Sequence, residues 1–204
     1  MAHVSDILCG MQHRRLGSGL AAGAIVISGL LAGCAGQSTR KPVESLDERT
    51  GMTIATLQEP VEFVEAGLLN VNRHSSFAYL GPVEWDRMGE IRYGLWIHVA
   101  PGNDRAVDDI RGPAAVTLTL DDSAVPLSTF DAPRLGLEPY PAAVPWGQTA
   151  YFALTVELLK RLASADKLAL HFRGVDGARV DFDPVRTSRS ALAAFARSRG
   201  ITVD

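Results

Sequence analysis

The chain has 204 residues, 47% of them hydrophobic, which supports one domain with a substantial core and falls short of two. Its net charge of −3, from 20 basic and 23 acidic side chains, gives no broad cationic field and so excludes nucleic acid as an expected partner. Cysteine occurs only at Cys9 and Cys34, ahead of the segment expected to fold, so neither a disulfide nor a thiolate metal site is expected in the domain.

Arg14 and Arg15 lead into an apolar run from Leu16 through Leu31, the charged and hydrophobic regions of an export signal. A transmembrane anchor is the competing reading, but it needs about 20 predominantly apolar residues, and this run is shorter and diluted by glycine. The run closes on Leu31-Ala32-Gly33-Cys34, which resembles the lipobox of bacterial lipoproteins. The resemblance implies removal of residues 1–33, transfer of a diacylglycerol to the Cys34 thiol and, in many species, acylation of the new amino group. Several acyl chains anchor stably, because each buried methylene contributes about 0.8 kcal/mol and a single chain is only marginal. Ala35 stands where family members retained at the inner membrane carry aspartate, so the resemblance implies the outer membrane, with the domain facing the periplasm. Asp6 sits where positive charge is expected, which makes Met11 the expected start.

Residues 34–49 are charged, contain Gly, Ser and Thr, and lack large apolar side chains, so they are expected to form a flexible tether ahead of a single domain over 50–204. Within that domain the dominant apolar period is two, the signature of strands. Strands are predicted within Ile54 to Val64 and Phe77 to Trp85, with Pro60 and Pro82 pushing them toward sheet edges. Tyr93, Leu95, Ile97 and Val99 alternate with Arg92, Gly94, Trp96 and His98, and Val116, Leu118 and Leu120 alternate with Thr117, Thr119 and Asp121. Phe152, Leu154 and Val156 continue the pattern, as do Leu168, Leu170 and Phe172, then Val180 and Phe182. Pro101-Gly102-Asn103-Asp104 and Arg111-Gly112-Pro113 mark turns, and Val175-Asp176-Gly177 marks a hairpin, since Asp-Gly tolerates positive φ. Four prolines between Asp131 and Trp146 predict an ordered irregular loop.

Two helices interrupt the strands. Thr155 is placed to cap one through about Ala163, with Leu158, Leu159 and Leu162 on one face. Another starts near Ser188 or Ser190, turns Ala191, Leu192, Ala194 and Phe195 inward and stops at Gly200. The predicted fold is mainly β, a β-sandwich-like domain with a short internal helix and a C-terminal helix. From Thr149 onward the order strand, leucine helix, Ser164-Ala165-Asp166-Lys167, strand, Asp-Gly turn, strand and closing Ala/Leu/Phe helix resembles the C-terminal half of invasion-associated locus B-type envelope proteins. Those proteins usually carry a cysteine pair ahead of this segment, and Tyr140 to Gln148 has none. The resemblance implies a non-enzymatic β-rich envelope module and carries over no functional residue.

Sites for chemistry are sparse. His74 reads as a surface loop residue, while His98 and His171 fall on polar strand phases and, with Trp96, form a ligand face if those strands adjoin. Asp104, Asp108 and Asp109 invite a calcium reading but lack EF-hand order and enclose Arg105, so a charged loop is expected and no metal or cofactor is assigned. Asp121-Asp122-Ser123 reads as a turn, although Asp122 and Ser123 are chemically able to act as acid/base and nucleophile. Hydrolase, zincin, phosphate-loop and dinucleotide motifs do not occur. Trp85, Trp96, Tyr140, Tyr151 and Trp146 read either as exposed aromatics for protein or glycan contacts or as caps on the open end of a sandwich. The leading expectation is a membrane-anchored, non-enzymatic lipoprotein that presents strand edges and the loop bearing Tyr140 and Trp146 to an envelope protein. Its alternatives are a carrier of a small lipid or glycan, and a hydrolase built on scattered His, Asp and Ser.

Overall fold

The period-two segments become strands of one antiparallel hydrogen-bonded network in the computed structural model, which describes residues 42–67, 76–102, 107–186 and 189–203. The export signal, Cys34, His74, Asp104 and Ser188 lie outside these residues. In chain order the elements are β1 (Pro42–Asp47), β2 (Met52–Leu57), β3 (Val61–Glu65), β4 (Phe77–Arg87), β5 (Glu90–Ala100), β6 (Val116–Leu120), β7 (Ser123–Pro126), β8 (Gln148–Ala153), α1 (Val156–Ser164), β9 (Leu168–Arg173), β10 (Arg179–Pro184) and α2 (Arg189–Ser198). The expected mainly β domain with a short internal helix and a C-terminal helix is what the chain forms. Its strands curl within a single sheet ordered β1-β2-β4-β3-β10-β9-β6-β7, with β5 added to β4 and β8 to β5.

The branch in this sheet is β4. Along one side it pairs with β5 over its full length, and along the other it pairs with β3 as far as Leu80 and with β2 from Val83. Gly81 and Pro82 fall in the interval where neither β2 nor β3 reaches. This explains why Pro82 occupies the most connected strand rather than the expected edge. Its carbonyl accepts from Tyr140, so its backbone polar groups face the interval and the missing N–H interrupts no ladder.

The tether boundary also moves. Residues 42–47, expected to be part of a flexible linker reaching Arg49, form β1 and pair with β2 from Pro42↔Leu57 to Asp47↔Met52. Asp47 is buried and accepts from the N–H groups of Arg49 and Gly136 and from the Thr50 hydroxyl, so a polar segment is ordered by side-chain capping instead of apolar burial. The short β7 was not anticipated; it forms a hairpin with β6 through Asp121, whose φ of 53° makes the tight turn.

Among the described residues the core is one cluster. Leu80, Leu95, Ile97, Phe152, Leu118, Leu170, Phe172 and Phe182 come from strands, and Leu159, Leu162, Leu192 and Phe195 from the two helices that pack together. Thr155 caps α1 by accepting the Leu158 N–H at 3.1 Å. The inward face of α2 is Ala191, Leu192, Ala193, Phe195 and Ala196, with Ala194, expected inside, only partly buried. Gly200, at φ 72°, ends it with the Ile201 N–H returning to the Ala196 carbonyl. At the β9–β10 turn Gly177 takes φ 78° and Asp176 accepts the Ala178 N–H. No described helix is long and apolar enough to cross a membrane.

Candidate functional site

Both faces of β5 are covered. Leu95, Ile97 and Val99 enter the core, and the opposite phase, Trp96 and His98, is also buried beneath residues 127–147. This corrects the expectation that Trp96 and His98 present a solvent-exposed polar face: a proline-stiffened loop supplies a second cover that strand periodicity does not encode. Backbone pairing fixes the loop to the free edge of β8, with Phe130 N–H on the Tyr151 carbonyl at 2.8 Å and Ala153 N–H on the Ser128 carbonyl at 2.9 Å. Farther along, Gly136 N–H binds Asp47 and the Arg49 guanidinium binds the Arg134 carbonyl.

Glycines in the strands make room for the aromatic layer under this loop. A Cβ on Gly81 would lie 2.3 Å from the Tyr140 ring, and one on Gly94 would lie 2.6 Å from the Trp85 ring. Tyr140 packs on Trp96 at 5.1 Å between centroids, and Phe130 stacks on Trp85 at 5.7 Å with the Arg92 guanidinium on its ring at 4.8 Å. Tyr140 was expected on the surface as a partner contact, but it is only 2% exposed. Its hydroxyl accepts the Leu57 N–H at 2.9 Å and donates to the Pro82 carbonyl at 2.8 Å, which fills the interval in the sheet. Burial pushes its pKa upward. Trp85 is likewise enclosed and Tyr151 half-buried, whereas Trp146, 70% exposed, remains the aromatic available on the loop surface.

His98 is fully enclosed. Its Nδ1 lies 2.8 Å from the Thr149 hydroxyl, while Nε2 is buried with no hydrogen-bond partner among the described residues, against Gly147, where even a Cβ would come within 2.4 Å. Burial holds its pKa below the ordinary histidine value.

Between the loop and strands β5 and β8 lies a cleft of about 630 Å³. Phe130 and Tyr151 contribute aromatic surface and Trp96, itself buried, borders it, while Arg111, Asp131 and Glu138 contribute charge, with Thr129 and Thr149 also on its lining. The Tyr151 hydroxyl donates to Glu138 at 3.3 Å, and Arg111 donates to the Thr149 carbonyl at 2.8 Å. Burial, together with the Glu138 carboxylate, raises the Tyr151 pKa. The Trp96 indole nitrogen is buried and has no hydrogen-bond partner among the described residues. Arg111, Glu138 and Thr149 were not singled out in the sequence. The signal that was present is a glycine at alternate strand positions, Gly81 on β4 and Gly94 on β5, which marks close approach of another group.

His171 does not join His98 and Trp96. It lies on β9, which pairs with β6 and β10 and not with β5, and it is 7% exposed where solvent exposure was expected. Its Nε2 lies 2.7 Å from the Thr119 hydroxyl and its Nδ1 2.7 Å from Asp181. The Arg179 guanidinium pairs with Asp181 and approaches both ring nitrogens, at 2.8 and 2.9 Å, so it lies across the imidazole. Burial raises the Asp181 pKa, but the Arg179 and His171 hydrogen bonds outweigh it and hold the group below its usual range. A cavity of about 210 Å³ adjoins His171 and Arg179.

The other candidates make local hydrogen bonds and ion pairs. Asp108 binds Arg173 and the Asp109 N–H, Asp109 accepts the Arg111 N–H, and no group of metal-ligating side chains occurs among the described residues. Asp121 receives the N–H groups of Asp166 and Lys167, and the Ser123 hydroxyl accepts from Arg161. No family model, curated protein or solved structure matches the chain.

Proposed function

We propose that this chain is a lipid-anchored envelope protein whose β domain is a non-enzymatic binding module, taking a small ligand in the cleft beneath the proline-rich loop. One observation carries the reading: aromatic, cationic, anionic and hydroxyl groups from three separate segments, Arg111, Phe130 to Glu138 and Thr149 to Tyr151, converge on one cavity of about 630 Å³. Small-molecule sites are typically about 300–1,000 Å³, apolar in the main with a few placed polar groups. The lipobox supports attachment through Cys34, and from Cys34 to Pro42 the chain spans at most about 29 Å even when extended. That length supports a domain held close to the bilayer. Trp146, exposed on the same loop, supplies contact surface for an envelope partner.

Native mass spectrometry of the full chain, extracted from its own membranes in detergent, tests this reading. A non-covalent adduct is expected beyond the acyl mass, and it should be lost from Ala142→Trp, which fills the cleft. No adduct, or one indifferent to that substitution, would sink it.

A hydrolase is the second reading, favoured by the Thr119–His171–Asp181 chain of hydrogen bonds, the order of hydroxyl, imidazole and carboxylate that activates a nucleophile. Arg179 across the ring counts against it. Hydrolysis of p-nitrophenyl esters that disappears in both His171→Gln and Thr119→Val would establish it over binding alone.

A further inference from the structure

We infer that the cleft takes a neutral polyhydroxylated ring ligand, a short glycan, with the Trp96 indole N–H donating to one of its oxygens. The inference rests on the cleft being the binding site and adds the chemistry of its occupant. Three buried side-chain nitrogens have no partner among the described residues, those of Trp85, Trp96 and His98, and only Trp96 lines the cleft. A buried N–H left unpaired is costly, and an acceptor on the occupant removes that cost. Trp96 is held for this purpose by stacking, with His98 at 5.8 Å and 12° between ring planes, and Tyr140 at 5.1 Å. The indole ring is therefore already held in place before a ligand arrives.

The rest of the lining selects among ligand classes. Asp131 and Glu138 place two carboxylates against the single guanidinium of Arg111, which already donates to the Thr149 carbonyl. An anionic ligand such as a fatty acid or a phosphate headgroup meets a net negative wall. An acyl chain would leave the buried Trp96 N–H unpaired and take both carboxylates out of water, with the Tyr151 hydroxyl donating to Glu138 alone. A hydroxyl is donor and acceptor together: it donates to a carboxylate and accepts from Trp96 or Arg111. The C–H faces of a sugar ring fit the partly exposed Phe130 and Tyr151 rings, and the volume suits a short oligosaccharide.

The test is calorimetric titration of the full chain in a zwitterionic detergent without a sugar headgroup. The probes are a panel of neutral glucose, galactose, mannose and N-acetylglucosamine oligomers, with trigalacturonate and palmitate as anionic comparisons. Saturable binding of a neutral oligomer is expected, weakened about tenfold or more by Trp96→Phe and by Glu138→Gln, and abolished by Ala142→Trp. Melting curves confirm that each variant is folded, and Glu138, being exposed, keeps the test valid if Trp96→Phe does not fold. Palmitate or trigalacturonate binding that Ala142→Trp removes, with no neutral oligomer bound, would overturn the glycan inference and leave the cleft reading standing. Neutral oligomer binding that ignores all three substitutions would overturn it too, by placing the site elsewhere. Binding of none of the probes, with no adduct in the mass spectrum, would remove both.

Discussion

The Tyr140 hydroxyl joins the Leu57 N–H to the Pro82 carbonyl, standing in for the ladder bond that β2 and β4 cannot make at the point where they part. Its ring occupies the volume that a side chain at Gly81 would need. Tyr140→Phe keeps the ring and deletes the bridge, leaving two buried backbone groups unpaired at a cost of about 1–3 kcal/mol. Gly81→Ala keeps the bridge and forces ring and strand apart, an overpacking of about 1–3 kcal/mol or more. Chemical denaturation of both variants measures these losses, and an unchanged midpoint in either would mean that the loop does not brace the sheet.

Acid should destabilise the domain through His98. An imidazole whose folded pKa is depressed is protonated more readily in the unfolded chain. The stability linked to it is therefore complete above the unfolded value of about 6.5 and falls as the pH drops below it. Melting temperatures between pH 8 and pH 5 should decline below about pH 6.5 in the parent chain and more shallowly in His98→Gln. Parallel curves would show that another group sets the acid limb.

Removal of residues 1–41 should leave a cooperatively folding domain of unchanged stability, whereas removal of residues 1–49 should leave a less stable one. The longer deletion takes away β1, the Asp47 carboxylate that Gly136, Thr50 and Arg49 saturate, and Glu44, which shares the Arg199 guanidinium with Glu84 at 2.6 and 3.1 Å. Those groups pin the loop and the end of α2, so their loss should lower the melting temperature by several degrees. Equal melting of the two truncations would return 42–49 to the status of a linker.

Cys34→Ala should abolish incorporation of radiolabelled acyl chains and leave an unprocessed precursor, because no cysteine follows Cys34. Label entering the variant would overturn the lipobox reading.

The strands were legible where a core lies on one face only. Val116, Leu118 and Leu120, then Val180 and Phe182, alternate as written, and the Asp-Gly hairpin and both helix ends follow local rules of turn and cap chemistry. Periodicity misled at β5, where Trp96 and His98 look like the outer phase of a half-exposed strand and are instead sealed by a segment some 40 residues farther along. A polar residue type says nothing about what a distant loop will lay over it. The same holds for β1, whose order derives from Asp47 and its long-range partner Gly136 and not from apolar content. The cleft was illegible for a related reason: its charged walls, Arg111 and Glu138, sit in irregular segments that only tertiary structure brings together.

The Tyr140 bridge spans 83 positions to Leu57 and 58 to Pro82. Contacts of that separation close late, after the local hairpins, because the intervening chain must be immobilised first. The Leu57 amide is thus protected from exchange with solvent deuterium by a loop hydroxyl, while its neighbours along β2 are protected by other strands. Its exchange rate reads out how often the loop lifts from the sheet, and an occupant sealed beneath that loop would slow this one amide ahead of the rest of the strand.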